Sequence, residues 1–179
     1  MSTGNPPRVP IEVDPETGVW TTDGLPMLYM PRHFFINNHL AMEQALGRPA
    51  LAELLYESGH RSAYYWCQQE AATHGLGGIA VFHHYLRRMS QRGWGQFDGG
   101  GIDPDLTGGE VLARHSCFVE QQDGAGGGRL CYMFAGVFPG ALDWVAEDLG
   151  RGDRFRAEES HCAAEGGDAC VFTVTRLAV

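Results

Sequence analysis

The most informative stretch of the sequence is residues 159–170, which read ESHCAAEGGDAC. It carries a carboxylate at Glu159 and thiols at Cys162 and Cys170, with a Gly-Gly pair between the thiols. Glycine tolerates the backbone angles of a tight turn, so the chain can fold back and bring Cys170 towards Cys162. A tetrahedral zinc ion needs four nitrogen, oxygen or sulfur ligands. We therefore predict a zinc-tethered hairpin here, completed by a ligand from elsewhere in the chain.

That further ligand is predicted to be Cys131, because residues 130–134 read LCYMF and have the composition of a strand that could lie beside the hairpin. Cys117 and His161 are the alternatives. Simple burial of the two hairpin thiols, or a disulfide between them, is the competing interpretation. The odd number of cysteines, five, and the N-terminus without an apolar signal segment indicate a reducing compartment. We therefore expect a cytoplasmic protein without the disulfide.

The first half of the chain has helical character. A turn reading DPETG is flanked by two short β-like runs, which predicts a hairpin between residues 11–13 and 19–21. Apolar residues then recur at three-to-four spacing, which is typical of amphipathic helices. Three helices are predicted, the second of them interrupted at Gly59: a stretch that follows Pro31 and runs to about residue 46, then residues 50–74 and 79–92.

The second half of the chain reads as short β-like runs with one short helix, predicted at residues 140–149. Three glycine clusters are interpreted as loops: residues 99–101, 108–109 and 126–128. Four strands are predicted: residues 111–119, 129–135, 154–160 and 171–177. Helical sequence followed by strand sequence predicts an α+β fold, with N-terminal helices packed on a C-terminal antiparallel sheet.

The size and charge of the chain narrow the classes of function. With 179 residues we expect an N-terminal arm with its hairpin, residues 1–30, and a single α+β domain, residues 31–179. All 13 basic residues are arginine, so Schiff-base and P-loop lysine chemistry are excluded. A net charge of -9 makes nucleic acid a poor direct partner, and the sequence has no apolar run long enough to cross a membrane.

The sequence resembles a known family in two blocks. The run CYMFAG at residues 131–136 and, after an intervening helix, the pattern E-x2-C-x3-G-x3-C-x-F at residues 159–172 are similar to the 4-vinyl-reductase domain. The same domain is the sensor module of aromatic-responsive bacterial transcription activators. The resemblance covers about residues 100–177, and the first 50 residues look like the accessory N-terminal region of stand-alone members. We expect a stand-alone protein without the activators' ATPase and DNA-binding modules.

The resemblance implies a metal site, a ligand and an assembly. Sensor members hold zinc with three cysteines and one glutamate, which correspond by motif position to Cys131, Glu159, Cys162 and Cys170. Four protein ligands close a tetrahedral site, and closed sites are structural. Family members also bind a small hydrophobic or aromatic molecule between helices and sheet, and the sensors form homodimers.

Candidate ligand-binding residues come from helix and strand periodicity together with the resemblance. On the third helix an apolar stripe places His83 at its edge, facing inward, and His84 on the far side. Alternation along the predicted strand 111–119 puts His115 on the same apolar face as Cys117. For each candidate, ordinary core packing or surface exposure is the alternative. The candidates are Trp66, Phe82, His83 and His115.

These features lead to one preferred function and two alternatives. We expect a zinc-stabilised small-molecule-binding protein that works as a sensor, carrier or accessory factor, as a homodimer, possibly beside a partner enzyme. The first alternative is an enzyme on the same fold, in which pocket residues such as His83, or Glu70 and His74 on one helix, perform acid–base chemistry. The second is a scaffold subunit that docks on an enzyme through its glycine-rich loops.

Overall fold

The computed structural model describes residues 9–120 and 128–178. In these residues it contains two antiparallel sheets, five α-helices and one short 3-10 turn at Ala163–Glu165. The strands are β1 (Glu12–Val13), β2 (Trp20–Thr22), β3 (Leu25–Met27), β4 (Gln96–Ile102), β5 (Gly108–Arg114), β6 (Phe155–His161) and β7 (Cys170–Arg176). The helices are α1 (Arg32–Leu46), α2 (Arg48–His74), α3 (Ile79–Gln91), α4 (Cys117–Glu120) and α5 (Tyr132–Asp148).

The N-terminal part agrees with the sequence prediction except at two points. The predicted hairpin is confirmed as β1 and β2, but it continues into a third strand, β3, after a tight turn at Asp23 and Gly24. The predicted helices are confirmed as α1, α2 and α3. The interruption at Gly59 is wrong, because α2 runs unbroken from Arg48 to His74.

The main sheet has the strand order β4-β5-β7-β6, and every neighbouring pair is antiparallel. Helix α5 packs against this sheet through aromatic rings. The ring of Phe138 lies 4.8 Å from that of Phe172 on β7, and the ring of Phe134 lies 5.0 Å from that of Phe97 on β4. The α+β class is confirmed, with α5 between β5 and β6 in the chain.

Two of the glycine clusters interpreted as loops are parts of strands. Residues 99–101 lie in β4 and residues 108–109 in β5, while most of the cluster at 126–128 lies outside the described residues. Close approach of neighbouring atoms explains the glycines. A Cβ on Gly109 would lie 2.1 Å from the carbonyl oxygen of Gly101, and a Cβ on Gly99 would lie 2.6 Å from Leu86 on α3.

The predicted strand 129–135 and short helix 140–149 are wrong, because one helix, α5, replaces both. Thirteen consecutive residues of α5, from Phe134 to Ala146, are buried, so the segment has no polar face from which a helical period could be recognised. Gly136 and Gly140 let α5 approach the backbone of α2. A Cβ at these positions would lie 1.9 Å and 2.2 Å from carbonyl oxygens of α2.

The predicted strand 111–119 is too long. Strand β5 ends at Arg114, and His115 has a positive φ of 53° that breaks the extended backbone. Helix α4 begins two residues later at Cys117. Alternation therefore does not continue to His115, which is exposed. Within the described residues, no helix is both long and apolar enough to span a membrane.

Candidate metal centre and ligand cleft

The structure brings together the four side chains that the family resemblance singles out. One ligand atom each from Cys131, Glu159, Cys162 and Cys170 lies within 4.8 Å of the other three, and all four residues are buried. They come from separate elements, because Cys131 caps the start of α5, Glu159 lies on β6, and the other two cysteines flank the turn between β6 and β7. Gly166 in that turn has a φ of +102°, as the prediction of a tight turn requires.

The spacing of the sulfur atoms fits a tetrahedral metal. The Sγ atom of Cys170 lies 3.7 Å from that of Cys131 and 3.8 Å from that of Cys162. Zinc–sulfur bonds of about 2.3 Å place two sulfurs of a tetrahedron about 3.8 Å apart. A disulfide requires about 2.05 Å, and all five cysteines are free thiols in the structure. The arrangement therefore suits a metal and not the disulfide interpretation.

One carboxylate oxygen of Glu159 accepts a hydrogen bond, and the other has no hydrogen-bond partner. Its Oε2 atom accepts a hydrogen bond from the backbone N–H of Cys131 at 3.0 Å, whereas Oε1 is buried and has no hydrogen-bond partner. Burial raises the pKa of this carboxyl to about 8, with a further contribution from the nearby Cys162 thiol. A buried carboxylate oxygen that lacks a donor costs free energy, which a bound cation would offset.

Hydrogen bonds among the three thiols favour one thiolate, at Cys162, while the pKa values of Cys131 and Cys170 are raised. Hydrogen bonds from the other two thiols lower the pKa of Cys162, while its hydrogen bond to Cys162 raises the pKa of Cys131. Two outer groups orient the sulfurs: the hydroxyl of Ser116 lies 3.2 Å from Sγ of Cys131, and the N–H of Ala163 donates to Cys170 at 3.3 Å. Such outer partners tune metal ligands. The donor set and its surroundings fit zinc.

The two alternative ligands lie elsewhere. A β-bulge between Glu159 and His161 turns the imidazole of His161 outward, where it is 47% exposed and lies 3.6 Å from Glu165. Cys117 is buried, but it lies on the wall of a separate cleft. The structure therefore gathers the set that includes Cys131 and leaves the other candidates out.

The predicted ligand-binding residues do not converge on one cavity. Phe82 is fully buried in the core, Trp66 is half-buried, and both His83 and His115 are exposed. The inward orientation expected of His83 is wrong. His84 is buried and points inward instead, to Glu70 of α2.

His84 joins the predicted pair of Glu70 and His74 in a second polar cluster, and sequence reasoning does not include His84 because it lies on a different helix. Its Nε2 atom lies 2.7 Å from Oε2 of Glu70, which is fully buried, and Nε2 of His74 lies 3.3 Å from the same oxygen. The Arg87 guanidinium donates to Nδ1 of His84 at 3.0 Å, so the neutral ring carries its proton on Nε2 and donates it to Glu70. Arg92 lies 3.4 Å from Glu70. The carboxylate of Glu70 is therefore paired with two imidazoles and one guanidinium.

A cleft of about 510 Å³ lies between the small N-terminal sheet and the ends of α1 and α3. We call it the N-terminal cleft. Its volume falls within the range of about 300–1,000 Å³ that is usual for small-molecule sites. None of the four predicted ligand-binding residues is among the described residues that line it. Its principal walls are Trp20, Met27, Phe35 and Trp94, with Arg32 and Arg92 as charged members.

Comparison with known proteins gives one family match and several structural neighbours. Residues 5–99, more than half of the chain, match the family model described as "Domain of unknown function (DUF5943)". No curated protein matches the sequence.

The structural neighbours confirm the predicted likeness to the 4-vinyl-reductase family at the level of the fold. One is the phenol-responsive sensory domain of the transcription activator PoxR with phenol (TM-score 0.73, 14% identity, 92% of this chain and 83% of that chain). A vinyl-4-reductase family protein from Methanocaldococcus jannaschii has a TM-score of 0.56 at 16% identity, over 85% of each chain. A trafficking protein particle complex subunit 3 from Naegleria fowleri, covalently bound to palmitic acid, also has a TM-score of 0.56 at 16% identity, over 82% of this chain and 95% of that chain.

Proposed function

We propose that this chain, which belongs to the DUF5943 family, is a cytoplasmic small-molecule-binding protein whose fold is stabilised by one zinc ion. The observation that carries ligand binding is the N-terminal cleft, a cavity of about 510 Å³ with aromatic walls. The likeness of its fold to a phenol-responsive sensory domain supports a small hydrophobic or aromatic ligand. The protein would work as a sensor, carrier or accessory factor.

The metal part of the proposal rests on the buried cluster of three cysteines and Glu159. Zinc would be held by Cys131, Glu159, Cys162 and Cys170, and it would supply cross-links between the start of α5 and the β6–β7 hairpin. With four protein ligands the ion has no open position, so its contribution is to folding. The partnerless Oε1 of Glu159 is the feature that favours a bound cation over three buried thiols and a neutral acid.

Metal analysis tests this part of the proposal. Protein purified without added zinc should contain about one zinc per chain, and Cys170→Ser should lose both the zinc and much of its stability towards urea. Cys67→Ser is the matched control, because Cys67 is equally buried but lies outside the cluster, so this variant should keep its zinc. A wild-type protein that folds normally with no metal, and that a chelator does not destabilise, would contradict the zinc site.

Fluorescence tests the ligand site. Trp20 and Trp94 line the cleft, so a bound aromatic molecule should change their emission. Trp94→Phe should remove part of that change while phenols and aromatic acids are titrated. Exposed Tyr65 provides the control, because Tyr65→Phe should leave the titration unchanged. Mass spectrometry of the native protein should also detect any molecule that co-purifies with it.

The homodimer is proposed on the surface of α1. This helix buries Ile36 and His39 but leaves Phe34, Leu40 and Leu46 each more than 40% exposed. Exposed apolar side chains on a helix favour burial against a second copy. Leu40→Glu should shift the protein from dimer to monomer in light scattering, and a wild-type protein that is already monomeric would exclude this interface.

A further inference from the structure

We propose that the small sheet, β1–β3, is a lid over the N-terminal cleft, and that the carboxylate of Asp23 is the latch that holds it closed. Release of the latch opens the cleft and lets the ligand exchange. The inference rests on the proposed function only where it takes the cleft to be the ligand site, because the lid and its latch can be tested without a ligand.

The lining of the cleft comes from two parts of the chain. Trp20, Pro26 and Met27 belong to the small sheet, whereas residues 91–94 lie where α3 ends and Cys117 lies at the start of α4. A molecule bound in the cleft therefore contacts both the sheet and the helices, and displacement of the sheet removes part of the wall. Lids of this kind control the entry and release of ligands in many proteins.

Burial of the small sheet is concentrated at one turn. Thr22 and Leu25, which flank the β2–β3 turn at Asp23, are 4% and 8% exposed, whereas the other described residues of the three strands are exposed or half-buried. The connection from β3 to α1 carries Leu28 and Tyr29, which are 84% and 87% exposed. An element with one buried end and an exposed connection can move as a unit, because few buried contacts oppose the motion.

Asp23 holds the buried end of the sheet to the helices. Its carboxylate is 3% exposed and lies 3.0 Å from Arg88, 3.3 Å from Arg92 and 3.3 Å from Nε2 of His74. Positive φ angles of 51° at Asp23 and 76° at Gly24 fit a two-residue hairpin turn, which places Asp23 at the tip. Hydrogen bonds between charged groups are stronger than those between neutral groups. The latch thus joins the lid to both α2 and α3.

The groups that receive the latch are also held by partners on the helices. Arg88 donates to Oε1 of Gln91 at 3.1 Å. His74 and Arg92 lie 3.3 Å and 3.4 Å from the carboxylate of Glu70. When the latch is released, α2 and the end of α3 therefore remain paired with each other. The contact can break without disrupting the helices, which suits a reversible latch.

Thiol labelling tests the lid without a ligand. Cys117 is among the residues that line the cleft and is 2% exposed, so a maleimide should label it slowly unless the cleft opens. Asp23→Asn replaces charged hydrogen bonds by neutral ones and should increase the labelling rate of Cys117 about 10- to 100-fold. Peptide mass spectrometry measures this rate. Asp14→Asn is the matched control, because Asp14 lies in the other turn of the same sheet and accepts hydrogen bonds from Glu16 and Thr17 of that turn.

Arg88→Met tests the latch from the side of α3. It removes the contact at 3.0 Å from Asp23 and should also accelerate the labelling of Cys117. Because both changes break the same contact, the double variant with Asp23→Asn should be labelled more slowly than the product of the two single effects predicts. A rate equal to that product would show that the two residues act independently, and it would overturn the latch.

Fully buried Cys67 reports on general unfolding in the same samples, and its labelling rate should not change. The lid is overturned if Cys117 of Asp23→Asn is labelled at the wild-type rate, or if Cys67 accelerates together with Cys117. Phenol and benzoate separate this inference from the proposed function, because a molecule in the cleft should slow the labelling of wild-type Cys117. If the variants behave as expected and neither probe protects Cys117 at millimolar concentration, the lid stands and the proposed ligand site falls.

Discussion

Replacement of Gly136 by alanine should destabilise the protein, because α2 and α5 touch through their backbones at this position. A Cβ added to Gly136 would lie 1.9 Å from the carbonyl oxygen of Tyr56, whereas ordinary contact begins at 3.4 Å. The helices would have to separate by about 1.5 Å, and neither contact partner is a flexible side chain. Overpacking of this kind costs up to about 3 kcal/mol. The higher helix propensity of alanine returns about 1 kcal/mol.

The expected net loss is therefore about 2 kcal/mol, which corresponds to a decrease in Tm of about 4–8 °C for a protein of this size. Urea titration followed by circular dichroism measures it. The displacement should also reach the metal cluster, because α5 begins next to Cys131, so the zinc content of Gly136→Ala should fall. Gly152→Ala is the control, since no atom lies within 4 Å of its added Cβ and its φ is not positive. If Gly136→Ala unfolds within 0.5 kcal/mol of wild type, judged against the roughly 0.5 kcal/mol scatter of surface substitutions, the backbone contact is refuted.

Three further predictions concern pH, a buried carboxylate and the outer shell of the metal cluster. Burial lowers the pKa of His39 below 6.5, so the neutral ring stabilises the fold above pH 6.5 and this stability is lost as the pH falls. Urea titrations at pH 7.5 and 5.5 should therefore show a steeper loss of unfolding free energy for wild type than for His39→Phe. The difference should be at most about 1.4 kcal/mol per pH unit. Asp143→Ala should lower the free energy of unfolding by about 2–3 kcal/mol in the same assay. The N–H of Phe155, which donates to Oδ1 of Asp143 at 2.8 Å, would then be buried without an acceptor. Asp143→Asn should recover part of the loss. Ser116→Ala removes the hydroxyl that lies 3.2 Å from Sγ of Cys131, and it should weaken zinc affinity about tenfold or more. Competition with a chromophoric chelator measures this affinity. An unchanged affinity would show that the contact does not orient the sulfur.

The four-residue cluster could be found from sequence because its signal is chemical. Thiols and a carboxylate at fixed spacing around a Gly-Gly turn are informative whatever the secondary structure, and the family resemblance favours Cys131 over Cys117 and His161 as the remaining ligand. The wrong prediction of a strand at residues 129–135, where α5 begins, did not affect the prediction of Cys131 as a ligand. A helix cap and a strand end can both place one side chain at the edge of a sheet.

The core helix α5 could not be recognised because burial on all sides removes the polar face on which periodicity depends. The glycines of β4 and β5 were misinterpreted for a related reason. Their cause is the approach of a neighbouring strand or of Leu86 on α3, and local sequence contains no record of such contacts. His84 and Glu70 are likewise 14 residues apart and meet only because α2 and α3 pack together.

The sequence does not predict the cleft, because an N-terminal arm with a short hairpin carries no signal of the cavity that it forms with α1 and α3. In the structure, the turn between β2 and β3 is fastened to α3 through Asp23, which pairs with Arg88 and Arg92. This ion-pair network holds the small sheet over the ends of α1 and α3 and thereby forms the cavity. The sequence alone does not distinguish these charged residues from ordinary solvent-exposed ones.

The metal cluster and the cleft meet at two consecutive residues, Ser116 and Cys117. The hydroxyl of Ser116 contacts Sγ of Cys131 in the cluster, while Cys117 lines the cleft and its N–H donates to the carbonyl oxygen of Trp94, another wall residue, at 2.9 Å. Zinc held by four protein ligands has no position left for a substrate. Its influence on a bound molecule would therefore be indirect, because fixing Cys131 fixes the segment that carries one wall of the cleft.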